Sequence, residues 1–281
     1  MTCTNILTVD LEDWYHICGI RERLPLDSWS RLESRVEGNT TRILQILAES
    51  RTKATFFVLG FIAERHPELI RTIHEEGHEI ACHGYAHRRV YTMTADEFRQ
   101  DLRRGRDAVL EITDLPPKGY RAPEWSIRDD SLWALDILCQ EGFSYDSSMA
   151  PLPIIGSMGY PRVPHRIKTG QGSLWEFPPL VASAWILTLP VGGGWGLRFF
   201  PYSAIRKIIR RMNHHGRPAL VYLHPREMDP APPRIRLPLI KRLVLHAQIE
   251  NAEKRLHRLL RDFRFASISS YEESGCSCRN L

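Results

Sequence analysis

Short runs of β-branched and aromatic residues alternate along this chain with segments whose apolar residues recur at helical spacing. Such alternation is typical of βα units, in which a helix follows each strand and packs back onto a parallel sheet or barrel. The predicted strands are 5–10, 53–60, 78–82, 118–122, 143–146, 173–178, 219–224 and 263–268. The predicted helices cover about 40–50, 61–76, 95–113, 129–141, 202–215 and 247–262.

The number of βα units limits how many domains the chain can form. A chain of 281 residues with seven or eight βα units is long enough for one barrel. No stretch is rich enough in Gly, Ser or Pro to serve as a linker between domains. We therefore predict a single domain over residues 1–281, with a core of about 5–270 and a polar C-terminal tail at 271–281.

Local signals predict several element boundaries. Thr40 or Thr41 is expected to cap the first helix, and Gly77 is expected to end the second. Residues 149–172 and 189–201 fall outside the alternation, with Pro and Gly scattered through them. Long irregular segments in a compact domain are usually lids or binding loops, and a crossing strand with bulges is the plain alternative.

Composition and charge narrow the class of partner. The hydrophobic fraction of 43% is ordinary for a globular protein, and the formal net charge is only +5. Basic residues cluster at 103–106 and 206–217, and we interpret these clusters as solvated helix faces. Nucleic acid is therefore not an expected partner.

Cysteine usage and the N-terminus bear on location. Six cysteines show no pattern of closely spaced pairs that would indicate a disulfide framework; they are Cys3, Cys18, Cys82, Cys139, Cys276 and Cys278. We interpret the C-x-C pair Cys276 and Cys278 as a feature of the tail rather than a metal site. The N-terminus lacks a charged leader, and no stretch reaches the 18 or so apolar residues of a membrane span. These features predict a cytoplasmic protein, compatible with peripheral association with membrane biosynthesis machinery.

Histidines and carboxylates follow two of the predicted strands. His83 and His87 stand four residues apart after the third strand, and such a pair can bind one metal ion from one side of a helical turn. Asp10, Glu12 and Asp13 end the first strand and can supply both a metal ligand and a base for hydrolysis. One of the three could instead cap the next segment. Because the carboxyl ends of parallel strands meet on one face of a barrel, we expect these groups to meet there.

Two further strand ends add polar groups to the same face. Arg121 follows the fourth strand, where a guanidinium can hold a carboxylate in a fixed orientation. His224 follows the seventh strand, where an imidazole can donate a proton to a leaving group. Together with the metal set, they describe an amide or ester hydrolase.

The ordered segments "TVDLED", "HGYAH", "RAPEW" and "LVYLHP" resemble the motifs of the polysaccharide deacetylases of carbohydrate esterase family 4, in the family's order. The segments "YDSSMAP", "WEFPPL", "GGGWGLRFFPY" and "HPREMDPAPPRI" are similar to the branch of that family associated with exopolysaccharide loci and PEP-CTERM sorting systems. The resemblance covers about residues 5–270 and implies an α/β fold, a distorted (β/α)7 barrel.

The resemblance also implies roles for the residues that match the motifs. It implies a site for zinc, or for another divalent ion such as Co2+ or Ni2+, that is formed by one Asp and two His. His83 and His87 match the histidine ligands, and Asp10 matches the catalytic base. One departure is that Gly84 stands where many members have Ser or Thr.

The metal carboxylate is ambiguous because the family's ligand directly follows the base, whereas Leu11 intervenes here. Strand alternation would place Glu12 on the same face as Asp10, while a chain leaving the strand at Leu11 could turn Asp13 inward. We favour Asp13, with Glu12 as the alternative. Arg121 matches the arginine that orients the base, and His224 matches the proposed general acid.

Residues around the predicted face are candidates for substrate contact. Trp14, Trp125 and Trp195 could stack on sugar rings, although each could equally belong to the core. Glu124 stands where many members have an aromatic residue, and a backbone N–H near it is a candidate to hold the reaction's oxyanion. Asp146 either orients a neighbouring group of the site or makes a plain loop hydrogen bond.

The predicted reaction is removal of the N-acetyl group from N-acetylhexosamine units of a glycan or of a lipid-linked glycan precursor, with release of acetate. One alternative keeps the fold but takes a small amide as substrate, as in the allantoinase-like relatives of the same superfamily. A second alternative is a metal-bearing, non-catalytic sugar-binding subunit of a polymer-synthesis complex. The predicted base, arginine and second histidine argue against it, because a binding module needs no proton relay.

Overall fold

A curled sheet is built from the strands that the apolar runs predict. The computed structural model describes residues 3–17, 20–153, 155–184, 187–233 and 248–273. Within these residues, the strands are β1 Asn5–Leu11, β2 Thr55–Val58, β3 Glu79–Cys82, β4 Gly119–Tyr120, β5 Tyr145–Asp146, β6 His165–Thr169, β7 Gly172–Glu176, β8 Val181–Ala184, β9 Leu187–Pro190, β10 Leu220–Leu223 and β11 Phe265–Ala266. Each of the eight predicted strands is found, although most are shorter than predicted.

The strand order gives the fold. The main sheet runs β10-β1-β2-β3-β4-β5-β7-β6, and β11 also pairs with β1. All pairs along it are parallel except the β6–β7 pair. Backbone hydrogen bonds from Leu180 N to Leu220 O and from Tyr222 N to Gly192 O, both 3.0 Å, link β10 to the chain beyond β7. The predicted α/β architecture, a single distorted barrel-like domain, is therefore confirmed.

Helices follow most of the parallel strands. Among the described residues they are α1 Val36–Glu49, α2 Gly60–Arg65, α3 Pro67–Glu75, α4 Ala95–Thr113, α5 Trp133–Gln140, α6 Gly194–Phe199, α7 Tyr202–His214, α8 Ala252–Asp262 and α9 Ile268–Glu273. None of these helices is both long enough and apolar enough to cross a bilayer.

Several predicted helix boundaries are wrong; α5, for example, begins at Trp133 and not at 129. The helix predicted over 61–76 is two helices, because Pro67 lacks an N–H and disfavours helical geometry in the preceding residue, His66. The first helix begins at Val36, so Thr40 and Thr41 both lie inside it and neither caps it. The prediction for Gly77 is confirmed, since this residue has φ of +76° and follows Glu76, the C-cap of α3.

The two irregular segments contain regular structure. Residues 149–172 include β6, which pairs antiparallel with β7 and corresponds to the crossing strand named as the alternative. Residues 189–201 include α6, a helix that was not predicted from the sequence. Cys3, Cys82 and Cys139 are free thiols, and the predictions for Cys18 and for the tail pair Cys276 and Cys278 fall outside the described residues.

The first strand is buried along its whole length, from Asn5 to Leu11. Burial on both faces is the property of a strand inside a parallel sheet that helices cover. Its apolar residues pack into the core. The acidic side chains at its carboxyl end lie buried at the open end of the barrel. The same edge of the sheet holds the ends of β3, β4, β5 and β10.

Glycines let helix α4 approach the loop after β3. Gly60 N donates to Gly84 O at 2.9 Å, and a Cβ on Gly105 would lie 2.6 Å from the same carbonyl oxygen. Real Cβ atoms do not come so close to a backbone oxygen, so this contact requires glycine at position 105. The packing of α2 and α4 therefore fixes where the loop after β3 begins.

Two matched Gly→Ala substitutions test this packing. Gly105→Ala should destabilise the protein by about 1–3 kcal/mol, because overpacking outweighs the gain in helix propensity. Gly38→Ala is the control, since Gly38 lies in α1 with no heavy atom within 4 Å of the added Cβ. It should stabilise the protein by about 0.5–1 kcal/mol. Urea unfolding measures both, and equal effects would contradict the role of Gly105.

Candidate active site

Two histidines and one carboxylate meet at the carboxyl ends of β1 and β3. Glu12 Oε1 lies 3.1 Å from His83 Nε2 and 3.0 Å from His87 Nε2, and all three side chains are buried. His83 Nδ1 lies 2.7 Å from the carbonyl oxygen of Arg121 and must carry a hydrogen to bond with it. In the neutral imidazole, the Nε2 lone pair of His83 then points at the Glu12 oxygen.

Two lone pairs that face each other in a buried site call for a cation between them or a proton on the imidazole. The ligand atoms of Glu12, His83 and His87 lie within 4.8 Å of one another and could hold a metal ion. Two imidazole nitrogens and one carboxylate oxygen form a common ligand set for catalytic zinc, so these residues fit a divalent transition metal.

The pKa values of this cluster follow from its charges. Burial raises the pKa of Glu12, but the two imidazoles outweigh burial and hold it well below its usual range. Burial lowers the pKa of His87, but the Glu12 carboxylate outweighs burial and raises it above the ordinary value. The carboxylate form of Glu12 is therefore the stable one.

The preference for Asp13 as the metal carboxylate does not agree with this arrangement. Asp13 is buried, but its Oδ1 accepts from Trp14 N at 2.8 Å. Its Oδ2 accepts from Ser34 Oγ at 2.6 Å and from the backbone N–H groups of Arg35, at 2.9 Å, and Val36, at 3.3 Å. Asp13 therefore caps two segments, including the start of α1, and Glu12 takes the place assigned to it beside the histidines.

Asp10 and Arg121 form a buried ion pair next to this cluster. Arg121 Nη1 donates to Asp10 Oδ1 at 2.5 Å, and the side chains of Arg121 and Asp10 are only 1% and 4% exposed, respectively. Arg121 also donates to Thr8 Oγ1 at 2.8 Å and, from Nη2, to Ser147 Oγ at 2.8 Å. With several donors fixed, the guanidinium holds one oxygen of Asp10 and leaves Oδ2 toward the site.

Two aromatic rings lie against the Arg121 guanidinium. Its central carbon lies 4.0 Å from the ring centroid of Phe57 and 4.4 Å from that of Trp125. Cation–π contacts of this kind stabilise a desolvated guanidinium and exclude water from it. Trp125 also packs against Tyr222, with 5.2 Å between ring centroids, so it belongs to the wall of the site and is mostly buried.

His224 lies between two carboxylates at the end of β10. Its Nε2 is 3.9 Å from Asp10 Oδ2, and its Nδ1 is 3.9 Å from Glu227 Oε1. Burial lowers the pKa of His224, but the carboxylates of Glu227 and Glu12 outweigh it, and the pKa lies above its ordinary value. The arrangement favours a protonated imidazole that faces the base.

Glu227 is a candidate site residue that was not predicted from the sequence. It is buried and follows His224 by three residues, on the short helical turn Pro225–Met228. The spacing H-x-x-E after a strand was the available signal, because residues i and i+3 of a helical turn are neighbours. The side chain of Arg198 from α6 lies 3.6 Å from Glu227 and balances its charge.

The loop that carries the two histidines is held from α4. The Asp101 carboxylate accepts from Tyr85 N at 2.9 Å and from Ala86 N at 3.3 Å. Gly84 has φ of +73°, and a Cβ there would lie 2.6 Å from Asp101 Oδ2. The departure from Ser or Thr at position 84 therefore has a local cause, since no side chain fits between this backbone and Asp101.

The other predicted contact residues lie at different distances from the site. Glu124 forms an ion pair with Arg89 at 2.9 Å, and its charge also raises the pKa of His87. Trp14 is half-buried next to Asp13, where its Nε1 donates to Glu33 O at 3.0 Å.

Two further predicted contact residues flank the site. Trp195 stacks on Phe199 and directly follows Gly194, where a Cβ would lie 3.7 Å from His224. Asp146 is fully buried and accepts from Ser148 Oγ at 2.5 Å, and Ser148 Oγ in turn accepts from the N–H of Ala122, next to Arg121.

Comparisons with known proteins agree with this fold. The family model described as "Polysaccharide deacetylase" matches residues 27–138, and a model described as "Domain of unknown function (DUF3473)" matches residues 147–273. A peptidoglycan-N-acetylglucosamine deacetylase of Bacillus cereus is 30% identical over 120 residues, which cover 38% of this chain and 44% of the relative. The alignment thus spans less than half the length of that relative.

Solved structures extend the likeness to the whole fold. A Mycobacterium smegmatis protein, described provisionally as a polysaccharide deacetylase, matches 97% of this chain and 90% of its own at 25% identity, with a TM-score of 0.68. The PuuE allantoinase matches 99% and 91% at 16% identity, with a TM-score of 0.64. A CE4 family pseudoenzyme from Bacillus anthracis matches 96% and 65% at 14% identity, with a TM-score of 0.53.

Residues 27–138 are therefore similar to the polysaccharide deacetylase family, and this range includes His83, His87 and Arg121. The curated relative and the Mycobacterium smegmatis structure agree with this likeness. The barrel is shared with deacetylases and with an allantoinase, so the fold alone does not select the substrate. The pseudoenzyme carries the same fold, so the fold alone does not establish catalysis either.

Replacing Asp13 tests its assignment as a structural cap. Asp13→Ala should lower the free energy of unfolding by about 2–4 kcal/mol, because several buried or half-buried donors lose their acceptor. Asp27→Ala is the control, since Asp27 is an exposed acid on a nearby 3-10 turn. It should change stability by less than about 0.5 kcal/mol. Similar small changes in both variants, measured by urea unfolding, would argue against the cap.

Proposed function

We propose that this protein is a metal-dependent N-deacetylase that hydrolyses the acetamido group of N-acetylhexosamine units and releases acetate. The observation that carries the proposal is the convergence of one ligand set, Glu12, His83 and His87, with an oriented carboxylate, Asp10, and an imidazole, His224. A hydrolase of amides needs these groups together: a Lewis acid, a base and an acid for the leaving amine.

Glu12, His83 and His87 are proposed to hold the metal, with zinc as the first candidate and Co2+ or Ni2+ as others. This replaces our preference for Asp13 as the carboxylate ligand. When bound, such an ion supplies Lewis-acid polarisation of the acetyl carbonyl and lowers the pKa of water at the site. The bond from His83 Nδ1 to the Arg121 carbonyl oxygen fixes the ring orientation that this role requires.

Asp10 is the proposed base. Its Oδ1 is held by Arg121, so Oδ2 is the oxygen that would take the proton of the attacking water. Because the carboxylate cannot rotate without breaking that bond, the proton acceptor is aligned before substrate arrives. The half-enclosed aromatic surroundings of Arg121 keep water from competing for the ion pair.

His224 is the proposed general acid. Its Nε2 faces Asp10 Oδ2 at 3.9 Å, so it lies across the space where the scissile C–N bond would lie. It would give its proton to the amine nitrogen as the tetrahedral intermediate breaks down. Glu227, behind Nδ1, favours the protonated ring and is proposed to orient it.

The proposed substrate is an N-acetylated glycan of an exopolysaccharide pathway, or its lipid-linked precursor. Trp125 and Trp195 are proposed contact surfaces for sugar rings, together with Trp14 and Glu124 at the edge of the site. The segments similar to the PEP-CTERM-associated branch fall almost entirely within residues 147–273, the range of the second family model. The free thiols Cys3, Cys82 and Cys139 are consistent with a cytoplasmic place of action.

A small-amide hydrolase is the second candidate, because the allantoinase has the same barrel over nearly the whole chain. Acetate release from chitooligosaccharides and ring opening of allantoin separate the two functions. A non-catalytic sugar-binding role would leave both assays blank while the glycan still binds. A non-catalytic role would also give no function to Asp10, the carboxylate that Arg121 orients.

The Asp10→Asn variant tests the proposed base. Acetate release from N-acetylated chitooligosaccharides should fall about 100- to 10,000-fold, because an amide cannot take up the water's proton. Bound metal, measured by elemental analysis, should remain near one ion per chain. Unchanged activity in the variant would remove Asp10 from the mechanism.

Metal content tests the ligand set. Glu12→Gln, His83→Ala and His87→Ala should each lose bound zinc together with activity, because three protein ligands hold the ion in a catalytic site. Asp13→Asn is the matched control and should keep its zinc. Chelation should abolish acetate release in the unmodified protein, and added Zn2+ should restore it. Loss of zinc in Asp13→Asn but not in Glu12→Gln would reverse the assignment.

A further inference from the structure

Two carboxyl groups lie fully buried behind the site, at the ends of neighbouring strands. Asp146 ends β5 and Glu176 ends β7, and the two residues are direct partners in the parallel register. Within the described part of the chain, neither forms an ion pair with a lysine, arginine or histidine. They nevertheless occupy a region where an unpaired charge is costly.

The hydrogen bonds of the pair require one shared proton. Asp146 Oδ1 accepts from Ser148 Oγ at 2.5 Å, and Glu176 Oε1 accepts from Met149 N at 3.0 Å. The remaining oxygens, Asp146 Oδ2 and Glu176 Oε2, are buried and have no donor among the described groups. Because Asp146 and Glu176 are paired across neighbouring strands and each has one buried oxygen without a donor, a single proton between these two oxygens would satisfy both.

The electrostatics of the pair agree with this geometry. Burial raises the pKa of Asp146 to about 6. Burial, together with the charge of Asp146, raises the pKa of Glu176 well above its ordinary value. Two carboxylates in contact cannot both ionise without a large cost, so the pair retains one proton near neutrality.

The pair is connected to the catalytic face through two serines. Ser148 Oγ accepts from Ala122 N at 2.7 Å while it donates to Asp146, so it ties the loop after β5 to the residue that follows Arg121. Ser147 accepts from Arg121 through both its carbonyl oxygen, at 3.2 Å, and its Oγ, at 2.8 Å. The position of these acceptors decides where the guanidinium lies.

We propose that Asp146 and Glu176 share one proton and act as positioning residues for Arg121. The proton-linked pair fixes the loop of Ser147 and Ser148, and this loop fixes the guanidinium that orients Asp10. The proposal deepens the proposed function and rests on it, because the kinetic consequence requires Asp10 to be the base. It differs from an ordinary buried hydrogen bond in that its loss should misplace one particular charged group.

The shared proton sets the charge of the Asp146–Glu176 pair as well as holding the two side chains together. Without it, a second negative charge would lie buried next to Ser147 and Ser148, the loop that binds Arg121, and would compete with Asp10 for that cation. With it, the pair holds the loop while leaving the positive charge of Arg121 to the base. A glutamine at position 176 keeps the N–H donor that the proton provides, whereas a methionine of similar length does not.

Glu176→Gln and Glu176→Met therefore form a matched pair. In Glu176→Met, kcat for acetate release from N-acetylated chitooligosaccharides should fall about 10- to 100-fold, because the base is misplaced. KM should stay within about twofold, since substrate contacts are untouched. Glu176→Gln should restore kcat to near the unmodified value, and equal kcat in all three proteins would overturn the proposal.

Two further measurements do not depend on catalysis. Infrared spectroscopy of the unmodified protein at neutral pH should show the C=O band of a buried protonated carboxylic acid, and Glu176→Gln should lack it. Nitrogen NMR should show the Arg121 Nε–H signal shifted in Glu176→Met and unshifted in Glu176→Gln. Absence of the band, or an unshifted Arg121 signal in a folded Glu176→Met, would overturn the proposal.

A control separates positioning from general destabilisation. Glu79 begins β3 at the opposite end of the barrel and accepts from Thr55 Oγ1 at 2.6 Å and Tyr145 Oη at 2.8 Å. Glu79→Met should lower stability without moving the Arg121 signal. If Glu176→Met does not fold, the infrared comparison with Glu176→Gln decides the shared proton. If the unmodified protein releases no acetate, the proposed function fails, while the spectra still test the pair.

Discussion

The ion pair between Arg121 and Asp10 is the interaction on which the rest of the site depends. A guanidinium that is almost fully buried is stable only when its donors and both its faces are satisfied. Here the donors reach Asp10 and Thr8 of β1 and the loop after β5, and the rings of Phe57 and Trp125 lie against the guanidinium. One charge thus connects several barrel strands at the carboxyl edge of the sheet.

The first strand contributes to both the core and the site, because apolar residues occupy most of it and acidic residues stand at its carboxyl end. Its apolar residues are buried on both faces, as parallel sheets require, whereas its carboxyl end brings three acids to the barrel mouth. Each acid has a different partner: Asp10 binds Arg121, Glu12 meets the two imidazoles, and Asp13 caps α1. Three acids within four residues of sequence therefore have three different structural surroundings.

Much of the fold and part of the site could be predicted from sequence, and the failures have physical causes. Strand alternation and the placement of polar groups at strand ends predicted the barrel and the meeting of Asp10, His83, Arg121 and His224. The choice between Glu12 and Asp13 could not be made, because it depends on Ser34 and Val36, which are distant in sequence from the first strand. The start of α1 was missed for the same reason. The break at Pro67 was a local signal that was overlooked. Glu176 carried no signal, since a glutamate at a strand end does not reveal which residue it faces.

His224 and Glu227 lie on a single short turn, and this affects which parts of such a barrel can change in sequence independently. The imidazole and its counter-charge are separated by three residues, so they move together as one rigid piece of backbone. The long connections on the same face can change length and composition without separating the two. The pairing of the imidazole with its counter-charge is therefore independent of the surrounding loops, which can vary while this turn stays intact.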